Sequence, residues 1–564
     1  MCKTCDGGNP QDHAESPRSS RRDFLKASTA TAAAAAGLSL FNSPPAAAKQ
    51  GDDDVPEDSG KPGRRLLIRG GAVMSMDPAV GDFPQADVLI EGKKILAVGP
   101  NLKANGARVI DARGRIVMPG FIDTHHHQFE TVLRSFLADG VLINDNSGSA
   151  SGTTTYFEFI LLTFAPVFRP QDVYINEVVA GWSQLDGGVT TVHDVSQIHH
   201  SPEHSDAAIQ ALFDTGRRAA FGYFESAGAA VLGTNPGNQY PQDATRIKQQ
   251  WFSSSDQLVT MIMGGEVYLG DDSTDQSWTL GRELDLQIAA HILSPFNIRP
   301  NMDKLAEGVG GKGGIGIGDD NLFIHMTGMS DFAWQKVHEA GAQVSIAFPI
   351  EMNMRHGMPP ILRMQSLSTP EKPFEPSLSV DVECTLTADF FTQMRSAMNL
   401  QRMIVNQMIL DSPNGNQNLP EPLDWGLPQT AVTVPGFFFH WPTPPGGIPA
   451  PLTTRDVLRY ATMNGARALR LDKKVGSLTP GKEADIIILD ATALNVAPLN
   501  QVPGAVVSLM DRSNVETVIV AGQIKKWKGK LQGVNVNKLL NDLENSRDRV
   551  FAAANVKQDL FSSQ

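Results

Sequence analysis

Strand-length apolar runs alternate with helix-length segments from about residue 119 to residue 470. In chain order, the clearest strand-like runs are residues 187–192, 218–223, 258–263, 287–290, 322–324 and 343–346. This alternation predicts βα units around a parallel sheet, and its length favours a closed (β/α)8 TIM barrel. Chemistry in such a barrel sits at the carboxyl ends of the strands. The polar residues that follow these runs are therefore the candidate functional residues.

Both flanks of this central segment carry short β-type runs separated by Gly and Asp. They occupy residues 64–118 on one side and residues 471–530 on the other. Two such flanks around a long central segment predict one small composite β-sandwich domain, formed from both chain ends. Residues 119–470 would then form the barrel, and we interpret residues 531–564 as a C-terminal helical tail.

Residues 1–48 have the order of an export signal. Arg21 and Arg22 precede a weakly apolar run over residues 27–41, and small residues follow that run. This order indicates a signal peptide, and the paired arginines indicate the twin-arginine (Tat) route, which carries folded proteins. The Tat export machinery is thus an expected partner, and the mature protein is expected in the periplasm or outside the cell. An Ala-rich disordered tail is the alternative. The acidic residues 49–63 are interpreted as a linker.

The composition excludes two classes of partner. The formal net charge is −13, whereas nucleic-acid binding needs a basic surface, so no nucleic acid is expected. The sequence has no strongly apolar run of about 20 residues, so no membrane span is expected in the mature protein. Only Cys384 lies beyond the leader, so a structural disulfide cannot hold the mature fold together. The sequence leaves open whether the chain forms a homo-oligomer.

His125 and His127 end an apolar run that begins at Arg115. In a strand, side chains at positions i and i+2 point to the same face, so both imidazoles can converge on one ion while His126 faces away. The pair alone is also compatible with a chance cluster of surface histidines.

Three further polar residues follow strand-like runs at the positions where a barrel would deliver them to the same site. His291 follows residues 286–290, His325 follows residues 322–324, and Asp381 follows residues 378–380. Each by itself could be a hydrogen-bonded core residue. Together with the histidine pair they indicate a metal site, because His and Asp in strand order at one barrel face form a ligand set.

These residues, together with the run Pro119–His127 and the tail segments 452–469 and 476–485, resemble the amidohydrolase superfamily, specifically its cytosine deaminase and chlorohydrolase-like branch. The resemblance covers about residues 64 to 530. It implies a metal-bearing (β/α)8 barrel with a split β-sandwich domain, in agreement with the fold class derived above.

The resemblance also implies roles for individual residues. His125 and His127 match the first-strand metal ligands, His291 the fifth-strand ligand and Asp381 the eighth-strand ligand. His325 matches the sixth-strand histidine, which orients the water or the substrate. Three nitrogens and one carboxylate imply one divalent ion per chain, with Zn²⁺ expected and Fe²⁺ as the alternative. Asp381 and His325 are then the catalytic residues, because Asp381 can accept the water proton and His325 can stabilise the developing charge.

Two positions depart from the family pattern. The binuclear branches carry a carboxylated lysine after the fourth strand, but the run Met261–Glu266 contains no lysine. This favours a single metal, with Glu266 as a bridging carboxylate in the alternative. In the deaminase branch a glutamate follows the fifth-strand histidine by three residues, but Ser294 stands there. A serine cannot serve as the acid that protonates a substrate ring.

The stretch after Val192 contains further candidates for substrate binding. His200, Glu203 and His204 follow a strand-like run, so they could contact substrate or supply the missing acid. Alternatively, Ser205 begins the next helix and the histidines are solvated.

Together these features predict a metal-dependent amidohydrolase that uses an activated water. Its substrate would be small and cyclic or heteroaromatic, and the reaction would be deamination or ring opening at a non-peptide C–N bond. One alternative is chlorohydrolase-type displacement on an aromatic ring. The other is a non-catalytic barrel that binds a metal or a ligand.

Overall fold

The computed structural model describes residues 54–561, apart from residues 57, 144–153, 228–239, 255, 309–314 and 412–446. The expected signal peptide and residues 49–53 and 57 of the expected linker lie outside the described residues. The fold is therefore described for the unit that begins at Val55.

Eight parallel strands form the central sheet, and each pairs with the next in chain order. They are β6 (Phe121–His126), β7 (Val189–Ser196), β8 (Arg218–Tyr223), β9 (Val259–Gly264), β10 (Gln287–Ile292), β11 (Asn321–His325), β12 (Gln343–Ile346) and β13 (Ser377–Leu378). Every residue of β6, β7, β8, β10 and β11 is buried. Burial on both faces explains why these strands do not alternate between buried apolar and solvated polar residues. The predicted (β/α)8 fold class is confirmed.

Helices cover the strands and extend the chain end. They are α1 (Pro170–Asp186), α2 (Pro202–Thr215), α3 (Ala244–Trp251), α4 (Asp271–Glu283), α5 (Arg299–Ala306), α6 (Asp331–Ala340), α7 (Phe348–Asn353), α8 (Ile361–Leu367), α9 (Phe390–Asp411), α10 (Thr454–Arg459), α11 (Gly465–Ala468), α12 (Val502–Gly504) and α13 (Val536–Ala553). Within the described ranges, no helix is both long enough and apolar enough to cross a membrane.

The strands from the two chain ends join in a second, nine-stranded sheet. Its members are β1 (Arg65–Met74), β2 (Asp82–Glu91), β3 (Lys94–Gly99), β4 (Arg108–Asp111), β5 (Arg115–Pro119), β14 (Ile486–Asp490), β15 (Val515–Val520), β16 (Gln523–Trp527) and β17 (Lys530–Leu531). The N-terminal strand β5 pairs antiparallel with the C-terminal strand β14, from Arg115 opposite Asp490 to Pro119 opposite Ile486. The small domain is thus composite, as the two β-rich flanks predicted.

A single glycine separates this second sheet from the barrel. Gly120 lies between β5 and β6, where a Cβ atom would stand 2.2 Å from Cγ2 of Thr190. No side chain fits at that distance, so the close approach of Gly120 to Thr190 of β7 requires glycine at position 120. The turn directs β6 into the barrel, with His125 and His127 at the far end of the strand.

A buried ion-pair cluster fastens the bottom of the barrel to the composite domain. Arg218, at the start of β8, donates from Nη2 to Oε2 of Glu483 at 2.6 Å and from Nε to Oδ2 of Asp485 at 2.9 Å. All three side chains are buried. Arg218 is the cation that pairs with Asp485, whereas Glu483 also lies 3.3 Å from Nζ of Lys93 and 3.6 Å from Nζ of Lys94.

Replacing Arg218 with leucine is expected to lower the free energy of unfolding by about 3–5 kcal/mol, because the buried Asp485 carboxylate would lose its ion-pair partner. The matched control is Arg113→Leu, which removes the exposed pair between Arg113 and Asp111 and is expected to leave stability unchanged. Urea titration followed by circular dichroism measures both variants. Equal midpoints for the two would show that the cluster does not stabilise the junction.

Candidate metal centre and active-site cavity

A seam of backbone hydrogen bonds between β6 and the segment after β13 closes the barrel. The amide of His127 donates to the carbonyl of Asp381 at 2.9 Å, and the amide of Asp381 donates to the carbonyl of His125 at 2.9 Å. Asp381 adopts φ 67°, in the left-handed region that aspartate tolerates better than most residues. The bonds that close the barrel therefore also place the Asp381 side chain beside the two histidines.

Four of the predicted side chains converge at this seam. Nε2 of His125 lies 3.0 Å from Nε2 of His127 and 3.1 Å from Nε2 of His291. Oδ1 of Asp381 lies 3.5 Å from Nε2 of His125 and 3.7 Å from Nε2 of His127. The histidines His125, His127 and His291 form one candidate metal-binding group, and His125, His325 and Asp381 form another. The sequence-predicted ligands are thus brought together.

Hydrogen bonds on the outer side of two rings determine which nitrogen faces the cluster. Nδ1 of His127 donates to the carbonyl of Val195 at 3.0 Å, and Nδ1 of His291 donates to Oε1 of Glu266 at 2.5 Å. The Nε2 atoms of both rings therefore carry lone pairs toward the cluster. Burial lowers the pKa of His127 well below its usual value, which keeps that imidazole in the neutral form that binds metals.

This donor set fits a divalent ion. Nitrogen lone pairs that approach to 3.0–3.1 Å repel each other unless a cation lies between them. Two ligands that bind one zinc ion at about 2.0–2.1 Å lie roughly 3.3 Å apart, and four donor separations in this cluster are 3.0, 3.1, 3.5 and 3.7 Å. Three imidazoles and one carboxylate would hold the ion and leave a further position for water or substrate.

Glu266 has an orienting role rather than a bridging one in this geometry. It follows β9, where the binuclear branches of the family carry lysine. Besides its bond to Nδ1 of His291, it accepts from the backbone amide of His291 at 2.9 Å. Both carboxylate oxygens are thus engaged with one histidine, an arrangement that fixes the ring and increases its basicity.

His325 ends β11 and lies at the edge of the same cluster. Its Nε2 atom is 3.6 Å from Oδ2 of Asp381, and its Nδ1 atom donates to Oε1 of Glu351 at 2.9 Å. Nδ1 of His356 lies 3.9 Å from the same carboxylate oxygen. Sequence reasoning missed Glu351 and His356. The barrel rule could have found Glu351, since it follows β12 closely, but His356 lies further along an irregular connection.

A cavity that is partly open to solvent lies over the candidate metal ligands. One end is formed by His127, His291, His325, His356 and Asp381. Most of the remaining wall is apolar and consists of Leu142, Phe157, Leu161, Leu162, Ala227, Leu269, Leu293, Phe296, Met354 and Val382. The described polar groups away from the cluster are Tyr156, Gln197, Glu225, Ser226 and Tyr268. The cavity therefore suits a mainly apolar, small molecule with few polar contacts.

The three residues predicted to bind substrate lie behind this wall. His200 donates from Nε2 to the carbonyl of Ala165 at 2.8 Å, and its Nδ1 atom hydrogen-bonds to Ser226, which does line the cavity. His204 bonds to the carbonyl of Phe168 at 3.1 Å. Glu203 is exposed near the start of α2. None of these three side chains is part of the described cavity wall.

Ser294 points away from the cavity. A Cβ atom added to Gly328 would stand 2.5 Å from the Cβ atom of Ser294, so the side chain of Ser294 packs directly against Gly328. The hydroxyl of Ser294 lies against the carbonyl of His356. The side chain does not line the cavity. The position that carries the acid in the deaminase branch therefore contributes no acid here.

Comparisons with known proteins agree with this geometry. The sequence model of the family described as Amidohydrolase family matches residues 449–525. A 5′-deoxyadenosine deaminase from Methanosarcina acetivorans is 23% identical over 499 residues, which cover 87% of this chain and 99% of the relative. An adenosine deaminase from Xanthomonas campestris with bound zinc superposes with a TM-score of 0.64 at 20% identity, covering 86% of this chain and 98% of that one. An atrazine chlorohydrolase from Arthrobacter aurescens TC1 complexed with zinc gives a TM-score of 0.63 at 19% identity, covering 86% and 100%.

These matches confirm the resemblance to the amidohydrolase superfamily. The segment matched by the family model begins before α10 and ends in β16, so it joins the last barrel helices to the composite sheet. The matched relative extends the similarity over the barrel itself. The chain combines a cluster of three histidines and one aspartate with Glu266 directly after β9.

Replacing Glu266 with glutamine is expected to weaken metal binding by about 10–100-fold, because the ring of His291 would lose its charged hydrogen-bond partner. Metal content after dialysis against graded chelator concentrations measures the effect. Glu283→Gln, at an exposed position on α4, is the matched control. Unchanged retention in the Glu266 variant would contradict the orienting role.

Proposed function

We propose that this chain is a zinc-dependent hydrolase that cleaves a non-peptide C–N bond of a small heteroaromatic amine. The observation that carries the proposal is the convergence of His125, His127, His291 and Asp381 at one end of a largely apolar cavity. A bound divalent ion supplies a hydroxide equivalent near neutral pH, since it lowers the pKa of water from about 15.7 to about 7.

Asp381 is suited to move the proton of the attacking water. Its Oδ2 atom hydrogen-bonds to no described residue and lies 3.6 Å from Nε2 of His325. In the proposed reaction this carboxylate accepts one proton from water and passes it to the departing nitrogen. His325 donates from Nδ1 to Glu351, so its Nε2 atom carries a lone pair that can accept a hydrogen bond from the attacking water and orient it.

The cavity wall supports a planar, weakly polar substrate. Phe157, Phe296 and Tyr268 offer aromatic surfaces, and leucines form much of the rest. Flat rings gain most from such contacts because aromatic groups stack and bury a large apolar area. The relatives named as deaminases of adenine nucleosides support amine release from a heteroaromatic ring.

Displacement of halide is the second candidate reaction. The atrazine chlorohydrolase that shares this fold supports it, and the chemistry differs only in the group that leaves the ring carbon. The presence of all four expected ligands, His125, His127, His291 and Asp381, argues against a purely binding role.

A substrate panel separates these reactions. The zinc-loaded full chain would be incubated with 6-aminopurines, aminopyrimidines, amino-s-triazines, chloro-s-triazines and cyclic amides, and ammonia and chloride release would be measured. We expect ammonia from an aminated ring. Chloride alone would favour the second candidate, cyclic-amide opening without ammonia would favour ring opening, and no hydrolysis of any member would refute the proposal.

Asp381→Asn is expected to reduce kcat by at least about 100–10,000-fold, because the amide cannot accept the water proton. The measurement is product release from the best panel substrate, with zinc content determined on the same sample. Asp331→Asn, at an exposed position on α6, is the control. A near-normal rate in the Asp381 variant would rule out the proposed role of this carboxylate.

We further propose that residues 1–48 direct Tat export. The paired arginines and the apolar run after them support this. Replacing Arg21 and Arg22 together with lysine is expected to retain the protein in the cytoplasm of a Tat-competent host, as measured by cell fractionation. Unchanged export would contradict the proposal.

A further inference from the structure

Glu225 lies on the cavity wall directly after β8, two positions beyond the last residue of that strand. Of the described residues that line the cavity, only Glu225 and Asp381 carry carboxyl groups. Asp381 belongs to the metal cluster, so Glu225 is the remaining described acid that a substrate in this cavity could meet.

Two neighbours fix one oxygen of this carboxyl and leave the other free. Gln197 donates from Nε2 to Oε1 at 3.0 Å, and the hydroxyl of Tyr268 donates to the same oxygen. Oε2 is buried and has no hydrogen-bond partner among the described residues. A buried carboxyl oxygen without a partner is costly in free energy. A proton on Oε2 and a substrate nitrogen beside it would satisfy that oxygen.

The surroundings of Glu225 favour its protonated form. Burial raises its pKa to about 7, and the negative charge of Glu266 adds to this effect. The other ionisable groups that face it are Tyr240, Tyr268 and His291. A carboxylic acid with a pKa near neutrality is suited to give and retake a proton at working pH.

The placement of Glu225 depends on packing between neighbouring strand ends. Phe224 is buried, with its ring centroid 5.8 Å from that of His291. Gly264, at the end of β9, makes room for it, since a Cβ there would stand 2.4 Å from Cγ of Phe224. The ring of Phe224 thereby anchors Glu225 on the side of the cavity next to the metal ligand His291.

We propose that Glu225, rather than the residue at position 294, is the catalytic acid that protonates the ring nitrogen of the substrate. Gln197 and Tyr268 are positioning residues that hold its Oε1 atom. This inference rests on the proposed hydrolase function and assigns the proton donor that the function requires.

The proposed step balances as follows for an aminated ring. The Glu225 proton moves from Oε2 to the ring nitrogen next to the attacked carbon, and a C–O bond forms to the water oxygen as Asp381 takes one water proton. The C–N bond then breaks, and its electron pair leaves with the amino nitrogen, which receives the proton from Asp381 and departs as ammonia. The remaining hydroxyl proton returns to Glu225, which leaves a ring N–H and a carbonyl in the product.

The first test compares Glu225→Gln with the wild-type full chain on the panel substrate that the wild type hydrolyses fastest. Glutamine has nearly the same shape and can keep the bonds to Gln197 and Tyr268, but it cannot donate a proton to a ring nitrogen. We expect kcat to fall by about 100–10,000-fold, with KM changed by less than about fivefold and zinc content unchanged. Glu283→Gln is the matched control on the protein surface and should retain the wild-type rate.

The second test measures the pH dependence of kcat/KM, which a purely structural role of Glu225 would leave unchanged. Because the acid form of Glu225 is required, kcat/KM should decline as pH rises above its pKa. The Tyr268 hydroxyl lowers that pKa by its hydrogen bond, so Tyr268→Phe should shift the declining limb to higher pH. A limb that does not move in this variant would overturn the proposal, even if the Glu225 variant fails to fold.

The outcomes distinguish this inference from the proposed function. If the wild type hydrolyses no panel member, the function fails and the inference fails with it. If the wild type is active while Glu225→Gln keeps its kcat within about threefold, only the inference is overturned. A variant that loses its zinc in proportion to its activity would show that Glu225 acts on the metal site, and this too would overturn the proposed role.

Discussion

Two backbone hydrogen bonds carry the organisation of the site: those between the His125–His127 segment and Asp381. The eighth strand, β13, is only two residues long, so few regular backbone hydrogen bonds can join it to β6. Closure is completed by this pair of bonds at the ligand residues themselves. Loss of these two bonds would therefore displace the eighth-strand ligand relative to the first-strand ligands. Fold and metal site depend here on the same interaction.

A second set of interactions stabilises the buried ligand cluster. At these distances the ring nitrogens and the carboxylate oxygens would repel each other, and they would lack hydrogen-bond partners without further polar groups nearby. Glu266 accepts a hydrogen bond from Nδ1 of His291, and Glu351 accepts one from Nδ1 of His325. These bonds orient the Nε2 atoms of both rings toward the cluster. The chain thus supplies negative charge around the position that a cation would occupy. The arrangement is stable as a whole only when that charge is balanced.

The sequence predicted what depends on local spacing. His125 and His127 are two residues apart on a strand, and His291, His325 and Asp381 each end an apolar run, so the barrel rule was enough to bring them together. Partners created by packing between strand ends were not visible. Glu225 and Tyr268 are hydrogen-bonded although they lie 43 positions apart in the sequence, and no local sequence pattern predicts this pair. The predicted contact of His200, Glu203 and His204 with substrate stays a prediction. Pro202 begins α2, Glu203 is exposed, and none of the three lines the described cavity wall.

The symmetry of a barrel explains how an acid can change its place in the chain without leaving the site. Every strand delivers its next residues to the same rim, so a proton donor beside the metal can come from the third strand as well as from the fifth. At the fifth strand the space is closed, because Ser294 packs against Gly328 and the neighbouring carbonyl of His356. At the third strand the space is open, because Gly264 admits Phe224 and so brings Glu225 to the cavity wall. The direction from which the proton arrives then constrains how a ring lies over the metal, and a substrate whose ring nitrogen faces the third strand is the one this cavity selects.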